Sequence, residues 1–122
     1  MKDLPLRRVS QVAEFGEFTL DFQKMELSHG NEPVSLTLQE FKVLKFFVAR
    51  PEIVMTRQTL IRSVWPKRER SSYRTVDNVI ARLRRKIERD PDSPAFIQTV
   101  YGVGYKFVPH GKERLLNRNL AQ

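Results

Sequence analysis

The chain is 122 residues long, 40% hydrophobic and 10% aromatic, and its 22 Lys and Arg against 14 Asp and Glu give a formal net charge of +8. That is the length of one domain, able to bury a core without help from a metal or a disulfide. With no cysteine, a disulfide framework, a thiolate zinc site, an iron–sulfur cluster and a cysteine nucleophile are excluded, and an imidazole metal site or a Ser-His-Asp triad would have to be built on His29 or His110.

Residues 1–14 show no sustained periodicity and contain Pro5, which reads as a leader or interdomain linker. From Phe15 the pattern changes. Phe18, Leu20 and Phe22 alternate with polar residues, Met25 and Leu27 continue the alternation, Ser28 to Asn31 is a turn cluster, and Val34 and Leu36 make a third short strand. The N-terminal third is therefore a small antiparallel meander. Thr37-Leu38-Gln39-Glu40 has the form of a capping box, followed by Phe41, Leu44, Phe47 and Val48 at helical spacing until Pro51. Ile53-Val54-Met55 is a bridging strand. Thr56 caps a second helix with Leu60, Ile61, Val64 and Trp65, and Pro66 stops it. Lys67 to Ser72 is a polar, basic loop. Residues 73–89 form the longest predicted helix, with Val76, Ile80, Leu83 and Ile87 on one face and Arg74, Asn78, Ala81, Arg82, Arg85 and Arg89 on the other. Phe96–Tyr101 and Tyr105–Val108, joined through Gly102 and Gly104, predict a hairpin. Residues 110–122 read as a flexible polar tail. The order defines an α+β domain over 15–109: meander, three helices, and a C-terminal hairpin that forms a wing beside a helix-turn-helix.

The charge is unevenly placed. The first 36 residues carry 4 basic and 6 acidic side chains, and the remaining 86 carry 18 and 8. Residues 67–89 alone carry 9 basic and 3 acidic. Such a concentration suits a polyanionic partner. Arg82 and Asn78 are side chains able to read guanine and adenine by paired hydrogen bonds, and the exposed face from Asn78 to Arg85 has no acid of its own. Catalysis is not expected, because no paired carboxylates, histidine or nucleophile converge in a motif. The glycines at 102 and 104 are flanked by strands and so do not form a nucleotide-binding loop. No cofactor or metal is expected. No apolar run approaches the roughly 18 residues of a membrane span, nor does the start have a signal peptide's apolar stretch, so the expected compartment is the cytoplasm with no membrane partner.

Four stretches carry a family resemblance: Leu36 to Leu44, Thr56 to Trp65, Arg74 to Ile87, and Ile97 to Phe107. Together they strongly resemble the C-terminal effector domain of OmpR/PhoB-type response regulators, above all through Arg74-Thr75-Val76-Asp77 with Arg82-Leu83-Arg84 and through Gln98-Thr99-Val100 with Gly102, Gly104 and Tyr105. The resemblance implies a winged-helix transcriptional regulator, the output domain of a two-component phosphorelay. It implies double-stranded DNA as partner, with half-sites in direct repeat and a head-to-tail dimer. Helix 73–89 would lie in the major groove and the wing, 99–106, at the minor groove. Arg82 then corresponds to a base-facing arginine, with Asn78 and Ala81 on the same surface. Trp65, Arg74, Thr75, Arg84 and Arg85 correspond to backbone-contacting positions, and Thr99, Tyr101 and Gly102 lie on the wing; from its charge and its place beside the wing, Lys106 is a candidate phosphate ligand. Lys67, Arg68, Glu69 and Arg70 match a loop that in some members touches RNA polymerase. Ala81 and Tyr101 stand where relatives often carry arginine. With 14 residues ahead of the first strand there is no room for a receiver domain, which fits an isolated effector domain. A different reading of the same basic helix is a winged-helix module that docks on an acidic protein.

Overall fold

The computed structural model describes residues 11–67 and 71–111. Short alternating segments open the chain: β1 (Val12–Phe15), β2 (Phe18–Asp21), β3 (Glu26–His29) and β4 (Glu32–Val34) pair antiparallel in chain order. Their register sets Phe15 opposite Phe18, Leu20 opposite Leu27, and Leu27 opposite Val34. The meander thus has four strands rather than the three expected. The additional strand, β1, begins inside the stretch read as a leader. Val12-Ala13-Glu14 has no clean alternation, because Val12 is exposed and only Phe15 is buried. Pairing with β2 makes it a strand, and Phe22 extends that pairing by donating its N–H to the Gln11 carbonyl (2.8 Å). At the other end, Gly111 is buried and donates to the Val108 carbonyl (3.0 Å), two residues past the expected boundary. The first ten residues of the leader, Arg68 to Arg70 of the basic loop, and the tail from 112 lie outside the described residues.

The three helices start where a hydroxyl can accept an otherwise unpaired N–H. Thr37 caps α1 (Leu38–Val48) with the full capping box, Glu40 returning to the Thr37 N–H (2.9 Å). Thr56 closes β5 (Val54–Thr56) and caps α2 (Arg57–Val64). Ser72 caps α3 (Tyr73–Ile87), which ends at Glu88. The last two strands, β6 (Ile97–Val100) and β7 (Gly104–Phe107), form the hairpin, and β5 pairs with the free edge of β7 to give the order β5-β7-β6.

The core is continuous through all layers. Phe41, Val43, Leu44 and Phe47 of α1, Leu60 and Val64 of α2, and Val76, Val79, Ile80, Leu83 and Ile87 of α3 are buried together. Each such side chain contributes about 1.5–3 kcal/mol by leaving water. Val79 completes the α3 stripe that the 4-3-4 spacing outlined. The two sheets meet through aromatic rings: Phe15 stacks on Phe18 (5.2 Å between centroids) and meets Phe96 and Phe107 edge-on (5.2 Å each). β7 passes so close to β5 that a Cβ on Gly104 would overlap the Met55 carbonyl oxygen. The spacing there admits only glycine. Among the described residues no helix is long and apolar enough to cross a membrane, and no group of His, Asp and Glu could hold a metal ion.

Candidate nucleic-acid interface

Helix α3 buries one side and leaves a basic strip on the other. Arg74, Asn78 and Arg85 are exposed, four and seven residues apart on one face, with the half-buried Ala81 between the last two. Arg82, also exposed, lies at the edge of that strip nearest α1. Its Nε donates to Oε2 of Glu40 (3.1 Å), a residue 1% exposed. Lys86 donates to the other oxygen of the same carboxylate (2.6 Å) and to the Ser35 carbonyl (2.7 Å). Burial raises the Glu40 pKa, but the bond from Lys86, the Thr37 N–H, the Lys86 charge and the bond from Arg82 outweigh it, so the carboxyl titrates below its ordinary value.

On the opposite edge of α3 a second network runs to the hairpin. Asp77 Oδ1 accepts from Arg57 Nε (2.8 Å) and from the Tyr105 hydroxyl (2.6 Å), tying the start of α2, the middle of α3 and β7 to one oxygen. Burial again opposes ionisation of Asp77, and the bonds from Arg57 and Tyr105 with the charges of Arg57 and Arg84 overcome it and lower its pKa. Burial and the neighbouring Asp77 push the Tyr105 hydroxyl upward, so the phenol remains a donor. Arg84 turns toward the hairpin: Nε and Nη2 donate to the Ile97 carbonyl (3.0 and 2.7 Å) and Nη2 to Thr99 Oγ1 (2.9 Å). Its guanidinium lies 5.4 Å from the centre of the Tyr105 ring. Glu88 then collects the N–H groups of Ala95 (2.7 Å), Phe96 (3.0 Å) and Ile97 (2.8 Å), which join α3 to β6.

The hairpin tip projects beyond these networks. Tyr101 is 90% exposed and Val103 48%. Gly102 takes φ +80°, a conformation that favours glycine, and the Val103 N–H closes the turn on the Val100 carbonyl (2.9 Å). Lys106 is half-buried on β7, opposite Val54 and Gln98.

The residues singled out from sequence therefore divide. Arg74, Asn78, Arg82, Arg85, Tyr101 and Gly102 are exposed on the α3 strip and hairpin tip. Thr75 is half-buried and gives its N–H to the Ser72 cap (3.2 Å). Arg84 and Thr99 hold each other, so two positions expected to face a partner are joined within the domain. Trp65, expected at a backbone contact, is 7% exposed and belongs to the core, because indole burial outweighs presenting the ring to water. Lys67 is exposed. Sequence reasoning did not find the supporting acids. The capping box marked Glu40, but its ion pairs reach 42 and 46 residues along the chain, and those of Asp77 reach back to Arg57 and on to Tyr105. Of these partners only Glu40, through the capping box, and Tyr105, read as core, carried a local signal.

A helix-turn-helix formed by α2 and α3, buttressed by a hairpin at the end of α3, defines a winged-helix domain. Residues 31–107 match the family described as "Transcriptional regulatory protein, C terminal". The chain is 36% identical over 101 residues to the transcriptional regulatory protein YvrH of Bacillus subtilis, covering 83% of this chain and 43% of YvrH. It is 35% identical over 100 residues to the DNA-binding response regulator MtrA of Mycolicibacterium smegmatis, covering 82% of this chain and 44% of MtrA. Among solved structures it matches the response regulator DrrB of Thermotoga maritima, an OmpR/PhoB homologue, with a TM-score of 0.76 and 32% identity, over 87% of this chain and 52% of DrrB. It matches the Klebsiella pneumoniae RstA DNA-binding domain, solved in complex with the RstA box, with a TM-score of 0.69 and 31% identity over 82% of this chain and 99% of that domain. The chain belongs to the family of transcriptional regulatory protein C-terminal domains, the winged-helix domains of OmpR/PhoB-type regulators. It spans less than half the length of the curated relatives it matches.

Proposed function

We propose that this chain binds double-stranded DNA in a sequence-specific manner as the output domain of a two-component response regulator, with α3 in the major groove and the hairpin at the minor groove. The observation that carries the reading is the α3 strip: Arg74, Asn78 and Arg85 are exposed together, while Glu40 and Asp77, acids on either edge of α3, are each engaged by cations inside the domain. The strip thus keeps its positive charge. A helix of this kind fits the major groove, where arginine and asparagine read base edges and cationic side chains meet phosphates. Arg82 and Asn78 are assigned to bases, with Ala81 on the same surface. Arg74, Thr75, Arg85 and Lys106 are assigned to the sugar-phosphate backbone, and Tyr101 and Gly102 to the minor-groove edge.

The finer assignments rest on the family resemblance. The DNA would carry half-sites in direct repeat bound by a head-to-tail dimer, Lys67 and its loop neighbours Arg68, Glu69 and Arg70 would touch RNA polymerase, and the protein would work in the cytoplasm without catalysis of its own. In-vitro selection from random duplexes, with sequencing of the bound pool, tests the reading. Enrichment of one motif, recurring at a fixed spacing, is expected. A pool that stays random while the protein retains its circular dichroism would overturn it and favour an acidic protein as the partner of α3.

A further inference from the structure

Glu40 is a charged side chain in the core. An ionised carboxylate is costly there unless it is paired and hydrogen-bonded, and Glu40 is both. Its Oε1 accepts from the Thr37 N–H (2.9 Å) and Lys86 Nζ (2.6 Å), and its Oε2 from Arg82 Nε (3.1 Å). The capping duty needs only Oε1, and a glutamine would perform it equally. The charge therefore has a second use, on the side of Oε2, where it meets the arginine that stands at the edge of the exposed strip.

The chemistry of that contact is directional. A guanidinium has a planar set of five donors. Tethering it through Nε leaves its far edge, the two terminal Nη nitrogens, pointing away from the tether. Among the described residues no hydrogen bond engages that edge. Two parallel N–H groups are what guanine O6 and N7 accept in the major groove. A free arginine side chain must lose rotamer freedom to make this contact, and one already fixed has lost it in folding. The anchor itself is rigid: Glu40 is buried, sits in the first turn of α1, and is bridged by Lys86 to the Ser35 carbonyl (2.7 Å). With two cations on one carboxylate, the cluster keeps a net positive charge.

We propose that Glu40 is a specificity-determining positioning residue: from the core it fixes the Arg82 guanidinium so that the Nη edge is presented to a guanine. The inference rests on the DNA reading above and assigns, within it, what aims one of the base-reading side chains.

The test uses the duplex obtained by selection, its single G·C→A·T forms, and a random duplex. Glu40→Gln keeps the cap and the side chain's size but removes the charge that tethers Arg82. Discrimination at one base pair should fall roughly three- to tenfold, part of what one bidentate pair supplies, with affinity for random duplex unchanged. In an Arg82→Ala background Glu40→Gln should have no further effect on discrimination. Lys86→Met removes the other cation from Glu40 and should lower the thermal midpoint while preserving discrimination. Equal weakening on all duplexes, or an effect of Glu40→Gln that persists with Arg82→Ala, would overturn the inference. A second measurement needs no variant: the Arg82 Nε–H resonance of the wild-type protein should exchange with water more slowly than that of Arg85, and equal exchange would also overturn it. If the wild-type protein enriches no duplex, the DNA reading fails. If it enriches one whose discrimination is indifferent to Glu40→Gln, only the present inference fails.

Discussion

Four arginines of α3 carry the same charge and meet different surroundings. Arg74 and Arg85 are exposed, Arg82 is tethered to Glu40, and Arg84 spends Nε and Nη2 on the Ile97 carbonyl and Thr99. Binding that neutralises phosphates weakens as salt rises, by about 0.9 in the log–log slope for each contact. Arg85→Ala should flatten the slope by about that amount, whereas Arg84→Ala should leave it nearly unchanged and lower the thermal midpoint instead; a salt titration of the two variants beside the wild type measures the difference. The same network sets a pH dependence. Glu40 and Asp77 both have carboxyl pKa values lowered by folding. Their contribution to stability is complete above the ordinary carboxyl range, where both states are ionised, and is lost as pH falls through the lowered folded values. Denaturant midpoints followed through that acidic window should drop for the wild type, and less steeply for Asp77→Asn, which keeps an acceptor but cannot titrate. Periodicity made the outward placement of Arg74, Asn78 and Arg85 legible. It could not reveal that Arg84 and Arg82 are tied to other elements, because their partners are distant in sequence and carry no local pattern.

For whole elements, legibility follows how much of the cause is local. Hydroxyl caps and apolar steps of three and four are local, and α1 and α2 lie where they predict; α3 starts at Tyr73 as expected but stops at Ile87, two residues short of the 73–89 expected, because Glu88 leaves helical geometry and turns its carboxylate to the N–H groups of residues 95–97. β1 depends on β2 and is nearly invisible without it. Leu83, on the buried face of α3, is fully buried, and Leu83→Ala should cost about 2–5 kcal/mol through the cavity it leaves. Chemical denaturation would show it, and a loss no larger than that of Ala81→Ser would contradict the helix phase. The hairpin is expected to act through its tip. Tyr101 is 90% exposed and carries no charge, so in the minor-groove role proposed for it, it lacks the pull that a cation exerts in a narrow groove. Tyr101→Arg should tighten binding to sites with an A·T-rich flank and steepen the salt dependence. An identical response to A·T-rich and G·C-rich flanks would place the tip outside the groove.

Across the whole molecule the charge is polar. Of the residues from 11 to 36, Glu14, Glu17, Asp21, Glu26 and Glu32 are acidic and Lys24 alone is a fixed cation. The sheet they form and the basic strip of α3 belong to different elements, so a polyanion meets repulsion at one and attraction at the other. Such a field orients an approaching domain before contact. The split in charge, and its division of a β-meander from a helix with its hairpin, are both readable from the sequence.

Glu88 has a consequence for the geometry of the DNA itself. A carboxylate at a helix C-terminus is unfavourable toward the helix dipole, yet here it gathers the N–H groups of residues 95, 96 and 97. With Arg84 bound to the next strand, the end of α3 and the root of the hairpin are joined at two points. Such a domain is a ruler with fixed marks, one for each groove. In the DNA complex proposed above, adding one base pair between the bases assigned to α3 and the flank assigned to Tyr101 would displace the second mark by about 3.4 Å along the axis, and a rigid protein cannot follow. Affinity for the lengthened site should fall to that of a site with no preferred flank, and competition assays with duplexes differing by this one insertion would show it. Replacing Glu88 by glutamine, which can accept through only one oxygen, should make the same insertion easier to tolerate.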